Sequence, residues 1–64
     1  MPKKKTGEYI IEFHQVGNQV KVTAIDPVSF REVSIIGALN VRKEDLSALA
    51  VRKLKYVLNK AEEE

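Results

Sequence analysis

The chain has 64 residues, of which 44% are hydrophobic and 31% are charged, and its formal net charge at pH 7 is +2. A chain this short hides only about 60% of its unfolded surface when it folds, so it has room for one hydrophobic core and not for two. It has no cysteine, which excludes a disulfide framework and a thiolate metal site and fits a reducing cytoplasm.

Both ends of the chain are charged, and the apolar runs between them are short. The basic start lacks the apolar segment of a secretory signal, because Glu8 and Glu12 interrupt the residues behind it. No apolar run approaches the roughly 20 residues of a membrane span. We therefore expect a cytoplasmic protein without membrane contact, with a disordered basic tail at 1–7, a single domain at 8–61 and a frayed acidic C-terminus at 62–64.

Three segments alternate between apolar and polar side chains, with the period of two that is typical of a strand with one buried face. They span residues 8–16, 19–25 and about 31–36. The apolar side chains predicted to form the buried face of the sheet are Tyr9, Ile11, Phe13, Val20, Val22, Ala24, Val33 and Ile35.

Two turns determine how these strands pair. Gly17–Asn18 suits a two-residue hairpin turn, in which at least one central residue takes positive φ. Asp26–Pro27 favours a second turn, with residues 27–30 as its loop. The resulting register pairs Phe13 with Val22, Ile11 with Ala24, Glu12 with Thr23, Ile10 with Ile25 and His14 with Lys21 in the first hairpin, and Ala24 with Val33 and Val22 with Ile35 in the second.

The period of the apolar residues changes from about Val41 onward. They now recur at spacings of three and four, which predicts an amphipathic helix of about five turns. Residues 37–40 are the predicted connector, with Asn40 as a candidate N-cap. The apolar stripe of the helix consists of Leu46, Leu49, Ala50, Leu54, Val57, Leu58 and Ala61.

The architecture follows from the need to bury these two apolar surfaces. Neither a three-stranded sheet nor a single helix can hide its apolar face alone, but each can cover the other. The sequence therefore predicts an α+β fold in which a three-stranded antiparallel β-meander packs on one C-terminal helix (β-β-β-α).

Few side chains could carry chemistry, and the predicted register does not bring them together. His14 is the single histidine and shares a strand face with Glu12, but Glu32 falls opposite Ile25 and away from it, so no metal-ligand set forms. None of the serines lies beside His14, and the sequence has no nucleophile elbow or phosphate-binding loop. We therefore expect a protein that is not an enzyme and that binds no metal or cofactor.

The sheet face opposite the helix is the leading candidate for a contact with an unknown protein partner or with a second copy of the chain. Isoleucines interrupt its polar pattern, and the edge strands present free backbone groups. The first hypothesis is thus a small protein-interaction module or a homodimer; a monomer with scattered surface isoleucines is the alternative. The candidate interface residues are Ile10, Glu12, His14, Lys21, Thr23, Ile25 and Ile36.

A second hypothesis is a nucleic-acid-binding accessory protein. Basic residues share one flank of the predicted helix, and three lysines lie in the tail, a pattern that suits phosphate binding. The same charges also fit an ordinary solvated helix face that keeps a small domain soluble. The candidate nucleic-acid contacts are Lys3, Lys4, Lys5, Arg52, Lys53, Lys55, Tyr56 and Lys60.

Four segments carry a likeness to known sequences, namely Tyr9–Phe13, Val20–Pro27, Arg31–Gly37 and Ala50–Leu58. Together they resemble a family of short uncharacterised alphaproteobacterial proteins, a domain of unknown function. Those proteins carry glycine in the second turn, where this chain has Phe30. The likeness spans most of the chain and supports the predicted fold, but it implies no activity, cofactor or partner.

Overall fold

A computed structural model describes residues 9–63 of this chain, with side chains for residues 9–60. These residues form one antiparallel sheet in the order β1-β2-β3 and a single C-terminal helix, so the predicted β-β-β-α fold is confirmed. The predicted tail at 1–7 lies outside the described residues, and the predicted fraying at 62–64 stays a prediction. The elements are β1 (Ile10–Val16), β2 (Gln19–Ile25), β3 (Glu32–Ala38) and α1 (Lys43–Glu63).

The strands pair in the predicted register in both hairpins. Phe13 lies opposite Val22 in the first hairpin, and Val22 lies opposite Ile35 in the second. Gly17 opens the first turn with a φ of 64°, while Asn18 does not take positive φ, which is the pattern of a type II′ turn. The alternation of side chains and the turn chemistry therefore select the same register, as they must when one face is buried.

The connector between sheet and helix is shorter than predicted. β3 continues to Ala38, because Gln19 and Val20 at the start of β2 offer pairing partners to Ala38 and Gly37. The prediction that residues 37–40 form the connector is therefore wrong for its first two residues. The longer β3 also places Gly37 under the first turn of α1, next to Leu46.

The predicted N-cap is also wrong. Asn40 lies in a turn in which the Val41 N–H donates to the Ala38 carbonyl at 3.2 Å. The Arg42 carbonyl accepts the first helical hydrogen bond, from the Leu46 N–H at 3.1 Å, which places Arg42 at the N-cap. The helix therefore begins at Lys43 rather than near Val41.

The core lies between α1 and the half of the sheet formed by β2 and β3. Its helix residues are spaced four apart, so they form a narrow row along α1. The partly buried side chains Tyr9, Ile11, Val33, Ile35 and Leu58 pack around this centre. The buried residues are Val20, Val22 and Ala24 from β2 and Leu46, Ala50 and Leu54 from α1.

Two residues that the sequence predicts to be buried are exposed. Phe13 is 38% exposed and Leu49 is 49% exposed. The reason is the position of α1, which packs over β2 and β3 and makes few contacts with β1. From the helix, the Lys43 Nζ lies 5.4 Å from the centre of the Phe13 ring in cation–π geometry.

The loop between β2 and β3 is closed by Asp26. Its N–H donates to the Arg31 carbonyl at 2.9 Å, and its own carbonyl accepts the Phe30 N–H at 2.8 Å. Its carboxylate accepts the Val28 N–H at 3.1 Å and the Ser29 hydroxyl at 3.0 Å. This set of bonds places Phe30 in the left-handed region, with a φ of 66°, and leaves its side chain exposed.

Replacing Phe30 with glycine is expected to stabilise the domain. A left-handed backbone destabilises a residue with a side chain by about 1–2 kcal/mol, and glycine avoids this cost. Glycine also loses more conformational entropy on folding, which reduces the net stabilisation to about 0.5–1 kcal/mol. Urea unfolding followed by circular dichroism measures it. Val28→Gly is the matched control, because Val28 is in the same loop with negative φ and should lose stability instead.

Candidate functional site

The face of the sheet opposite α1 remains uncovered by the helix, and we call it the open face. Strand alternation assigns four side chains of each strand to it. All seven residues of the predicted interface lie there. The open face consists of Ile10, Glu12, His14 and Val16 from β1, Gln19, Lys21, Thr23 and Ile25 from β2, and Glu32, Ser34, Ile36 and Ala38 from β3.

The open face has a polar centre and apolar ends. At the centre, the Thr23 and Ser34 hydroxyls share a part-buried hydrogen bond of 2.9 Å. Ile10 contributes to one end, where it pairs with a half-buried isoleucine, and Val16 and Ile36 contribute to the other. Ile10, Val16 and Ile36 are 48%, 57% and 60% exposed, so both ends offer apolar surface to a partner.

Two shallow depressions lie along this surface. The first is lined by Glu12, Phe13, His14, Lys21 and Thr23 and therefore contains both signs of charge. The second lies at the turn end of β1 and β2 and is lined by Val16, Asn18, Gln19, Ile36, Gly37 and Ala38. Both depressions are wide and open to solvent, which suits contact with another surface better than enclosure of a small ligand.

The groups that could carry chemistry are separated as the register predicts. His14 lies opposite Lys21, whereas Glu32 lies opposite Ile25 nearer the other end of the sheet. Among the described side chains, no group of three or more histidines and carboxylates is placed to hold a metal ion. The expectations that the chain is not an enzyme and takes no cofactor stay predictions.

The free edge of β1 presents the backbone groups of alternate residues. Asp26 and Arg31 continue the β2–β3 ladder as a hydrogen-bonded pair. Bonded pairs alternate along an antiparallel ladder, so even-numbered residues of β2 bond to β3 and odd-numbered ones bond to β1. The partners of these odd-numbered β2 residues are the even-numbered residues of β1. The N–H and C=O groups of Ile11, Phe13 and Gln15 are therefore directed outward, and we call these groups the β1 edge.

The free edge of β3 is different, because a helix side chain reaches it. The Lys53 ammonium donates to the Ser34 carbonyl at 3.2 Å. This contact agrees with the alternation of bonded pairs, which directs the backbone groups of Ser34 away from β2. A lysine that occupies an edge carbonyl protects that edge from pairing with another strand.

The second predicted site, on α1, is exposed to solvent along its length. Arg52, Lys53, Lys55, Tyr56 and Lys60 are all exposed, and we call them the helix flank. Lys53 is the member whose ammonium is engaged with the sheet. The three lysines of the tail lie outside the described residues. Within residues 9–63, no helix is long and apolar enough to cross a membrane.

Two exposed residues of β1, Val16 and Phe13, were not identified from the sequence. Val16 belongs to the open face, and the same alternation that placed His14 there could have identified it two residues later. The exposure of Phe13 on the opposite face had no signal in the strand pattern, because it depends on where the helix crosses the sheet. Together these residues make β1 the most exposed strand of the sheet.

Comparisons with known proteins add a family and no relative of known activity. Searches of the curated proteins and of the solved structures found no match to this chain. A family model described as Domain of unknown function (DUF6898) matches residues 6–61. Because that match covers most of the 64 residues, the chain belongs to this family.

Proposed function

We propose that this chain is a small non-enzymatic protein-interaction module that binds its partner through β1 and the adjoining open face. The observation that carries the proposal is the exposure of β1, where six of seven residues are exposed and the remaining one is half-buried. A strand of this length that is left uncovered on its edge and largely uncovered on both faces is a ready template for another strand.

Backbone groups supply the affinity in such a contact. The outward N–H and C=O groups of Ile11, Phe13 and Gln15 can continue the ladder with an extended segment of a partner. This is the mode in which edge strands bind peptides, with alternate side chains supplying specificity.

Side chains on β1 supply the specificity. On the open face, exposed apolar residues lie at the two ends, Ile10 and Val16, with Glu12 and His14 between them. A partner strand is thus expected to place apolar side chains at its ends and complementary charges between them. This pattern is more selective than an apolar patch alone.

The setting is part of the proposal. We propose a cytoplasmic protein of an alphaproteobacterium. The location is supported by the absence of cysteine from the sequence, and the origin by the likeness of Tyr9–Phe13, Val20–Pro27, Arg31–Gly37 and Ala50–Leu58 to proteins of that group.

A nucleic-acid-binding accessory role through the helix flank is the second candidate. Its support is the exposure of Arg52, Lys53, Lys55, Tyr56 and Lys60 on one helix. Lys53 already bonds the Ser34 carbonyl, which reduces its availability to phosphate. Exposed charges of this kind are also common on helices that bind nothing.

One experiment compares the two candidates. The tagged chain is crosslinked and purified from the cells that encode it, as the wild type, as a β1 variant (Ile10→Lys, Val16→Lys) and as a helix variant (Arg52→Glu, Lys55→Glu). The substituted residues are exposed, so each variant should fold, as circular dichroism checks. We expect a crosslinked product, with another protein or with a second copy of the chain, that the wild type and the helix variant form and that the β1 variant loses.

The other outcomes are equally informative. Nucleic acid retained by the wild type and lost only with the helix variant would replace the proposal with the second candidate. Identical sets of crosslinked products for the wild type and the β1 variant, crosslinks between two copies of the chain included, would show that β1 is not an interaction surface.

A further inference from the structure

The two edge strands of the sheet differ in their contacts with the rest of the chain. The β3 edge receives the Lys53 ammonium at the Ser34 carbonyl. In the part of the chain that the structure describes, no side chain bonds to the outward groups of β1. The sequence of β1, IIEFHQV, also has none of the proline, lysine or glycine residues that usually prevent strands from pairing.

β1 is complementary to itself in one antiparallel register. A two-fold axis perpendicular to the sheet keeps equivalent faces together, and centring it on Phe13 places this residue opposite Phe13 of the second copy. Glu12 then faces His14 of the second copy on the open face, and the reverse pair repeats on the other side of the axis. Ile10 faces Val16 in the same way, so the exposed apolar ends of β1 cover each other.

Neighbouring registers lack this complementarity. Centring the axis on Glu12 places two glutamates opposite each other and sets Ile10 against histidine. Centring it on His14 places two histidines together and sets Glu12 against Val16. Like charges directly opposite each other destabilise a strand pair, whereas a carboxylate opposite an imidazole can accept its N–H.

The hydrogen-bonding phase of β1 is compatible with the register centred on Phe13. The outward groups belong to Ile11, Phe13 and Gln15, and in this register Phe13 meets Phe13 while Ile11 meets Gln15. Each outward N–H therefore finds an outward C=O of the other copy, as in an ordinary antiparallel ladder. The helices lie over β2 and β3 rather than β1, so both copies can approach along this edge.

We propose that the partner of β1 is a second copy of this chain, joined strand to strand around Phe13 in a continuous antiparallel sheet. This inference rests on the proposed function and names its partner. The contact is isologous and closed, so it ends at a dimer and does not propagate into a fibre.

A cysteine scan tests the register directly, because the natural chain has no cysteine. Glu12→Cys, Phe13→Cys and His14→Cys are each prepared in the full chain and oxidised mildly. Hydrogen-bonded antiparallel partners have Cα atoms about 5.5 Å apart, within the range of about 4.4–6.8 Å that a disulfide needs. We expect a disulfide dimer mainly from Phe13→Cys, because residues 12 and 14 face each other and not themselves.

A charge reversal tests the same pairing without a covalent bond. His14→Glu places a glutamate opposite Glu12 at two symmetric contacts and should raise the dissociation constant of the dimer about tenfold. Adding Glu12→Lys should restore it, because both contacts then join a lysine and a glutamate. His14→Glu faces Lys21 within its own sheet, so the fold of the monomer should be kept.

The outcomes separate this inference from the proposed function. A dominant disulfide at position 12 or 14, or a double variant no tighter than His14→Glu, overturns the register. A wild-type chain that sediments as a monomer over a roughly hundredfold range of concentration overturns self-pairing altogether. The proposed function fails on a different result, which is the same set of crosslinked products, with other proteins and between copies, from the wild type and the Ile10→Lys, Val16→Lys variant.

Discussion

Replacing Leu54 with alanine is expected to remove a large part of the free energy of unfolding of this protein. Leu54 is fully buried, and with Val22 it is one of the largest side chains in the core that solvent does not reach. A leucine-to-alanine change at such a site costs about 2–5 kcal/mol, since the lost contacts leave a cavity. A domain of this length has a free energy of unfolding of about 3–10 kcal/mol. Urea titration followed by circular dichroism measures the loss.

Leu49→Ala is the matched control for that measurement. It makes the same chemical change on the same helix, but Leu49 is 49% exposed, so the expected cost is below about 1 kcal/mol. Equal costs for the two variants would mean that the buried stripe of α1 is as broad as the sequence alone predicts. The helix would then lie on the sheet in a different orientation, with Leu49 turned toward the core.

The pairing of the strands could be predicted because local and long-range signals agree. The Gly17–Asn18 turn sets the register of the first hairpin, and the alternation of apolar side chains sets the same register independently. Asp26 does the same for the second hairpin, where its backbone and carboxylate organise the loop. A shift of the register by one residue would turn the whole apolar face of a strand toward solvent, so other registers are strongly disfavoured.

The exposure of Phe13 and Leu49 could not be predicted in the same way. Each residue lies in the apolar pattern of its own element, but its exposure depends on where the helix crosses the sheet. The hydrophobic pattern states which face of an element turns inward, not how far a single helix extends over three strands. One helix covers two strands of this sheet well, and the third strand remains open.

Part of the candidate site could be predicted from the alternation of side chains along the strands. Alternation alone assigned Ile10, His14 and Ile36 to the face opposite the helix. The direction of the backbone groups along β1 could also be predicted, because a two-residue turn at Gly17–Asn18 is closed by a hydrogen-bonded pair, here Val16 and Gln19. The difference between the two edges could not be predicted, because it depends on the contact from Lys53, a residue distant in sequence from the strand it protects.

The position of the helix depends on a glycine in β3. Gly37 lies on the face of the sheet that α1 covers, opposite the buried Val20. A β-carbon at Gly37 would lie 2.5 Å from Cδ2 and 3.1 Å from Cδ1 of Leu46. Leu46 is buried in the core, so its methyl groups have little room to move aside. The absence of a side chain at this position is what allows the first turns of α1 to pack closely on β3.

Gly37→Val is therefore expected to destabilise the protein by about 2–3 kcal/mol, although valine is ordinarily favoured over glycine in a strand. Leu46→Ala should be destabilising by itself because it leaves a cavity. The double variant adds at Gly37 as many carbons as it removes at Leu46, and volume-conserving changes are the ones that cores tolerate best. We expect the double variant to be more stable than either single variant, as urea unfolding of all four proteins would show.

The interaction free energy between Gly37→Val and Leu46→Ala tests whether contact between these two residues explains the glycine. Residues in contact show interaction free energies of about 0.5–3 kcal/mol, whereas independent sites are additive. Gly17→Ala is the control, because Gly17 has a φ of 64° and nothing within 4 Å of its hypothetical β-carbon. Its cost comes from the backbone alone and should be the same with leucine or alanine at position 46. If Gly37→Val is also additive with Leu46→Ala, contact with Leu46 is not the reason for glycine in β3, and the helix does not owe its position to this close approach.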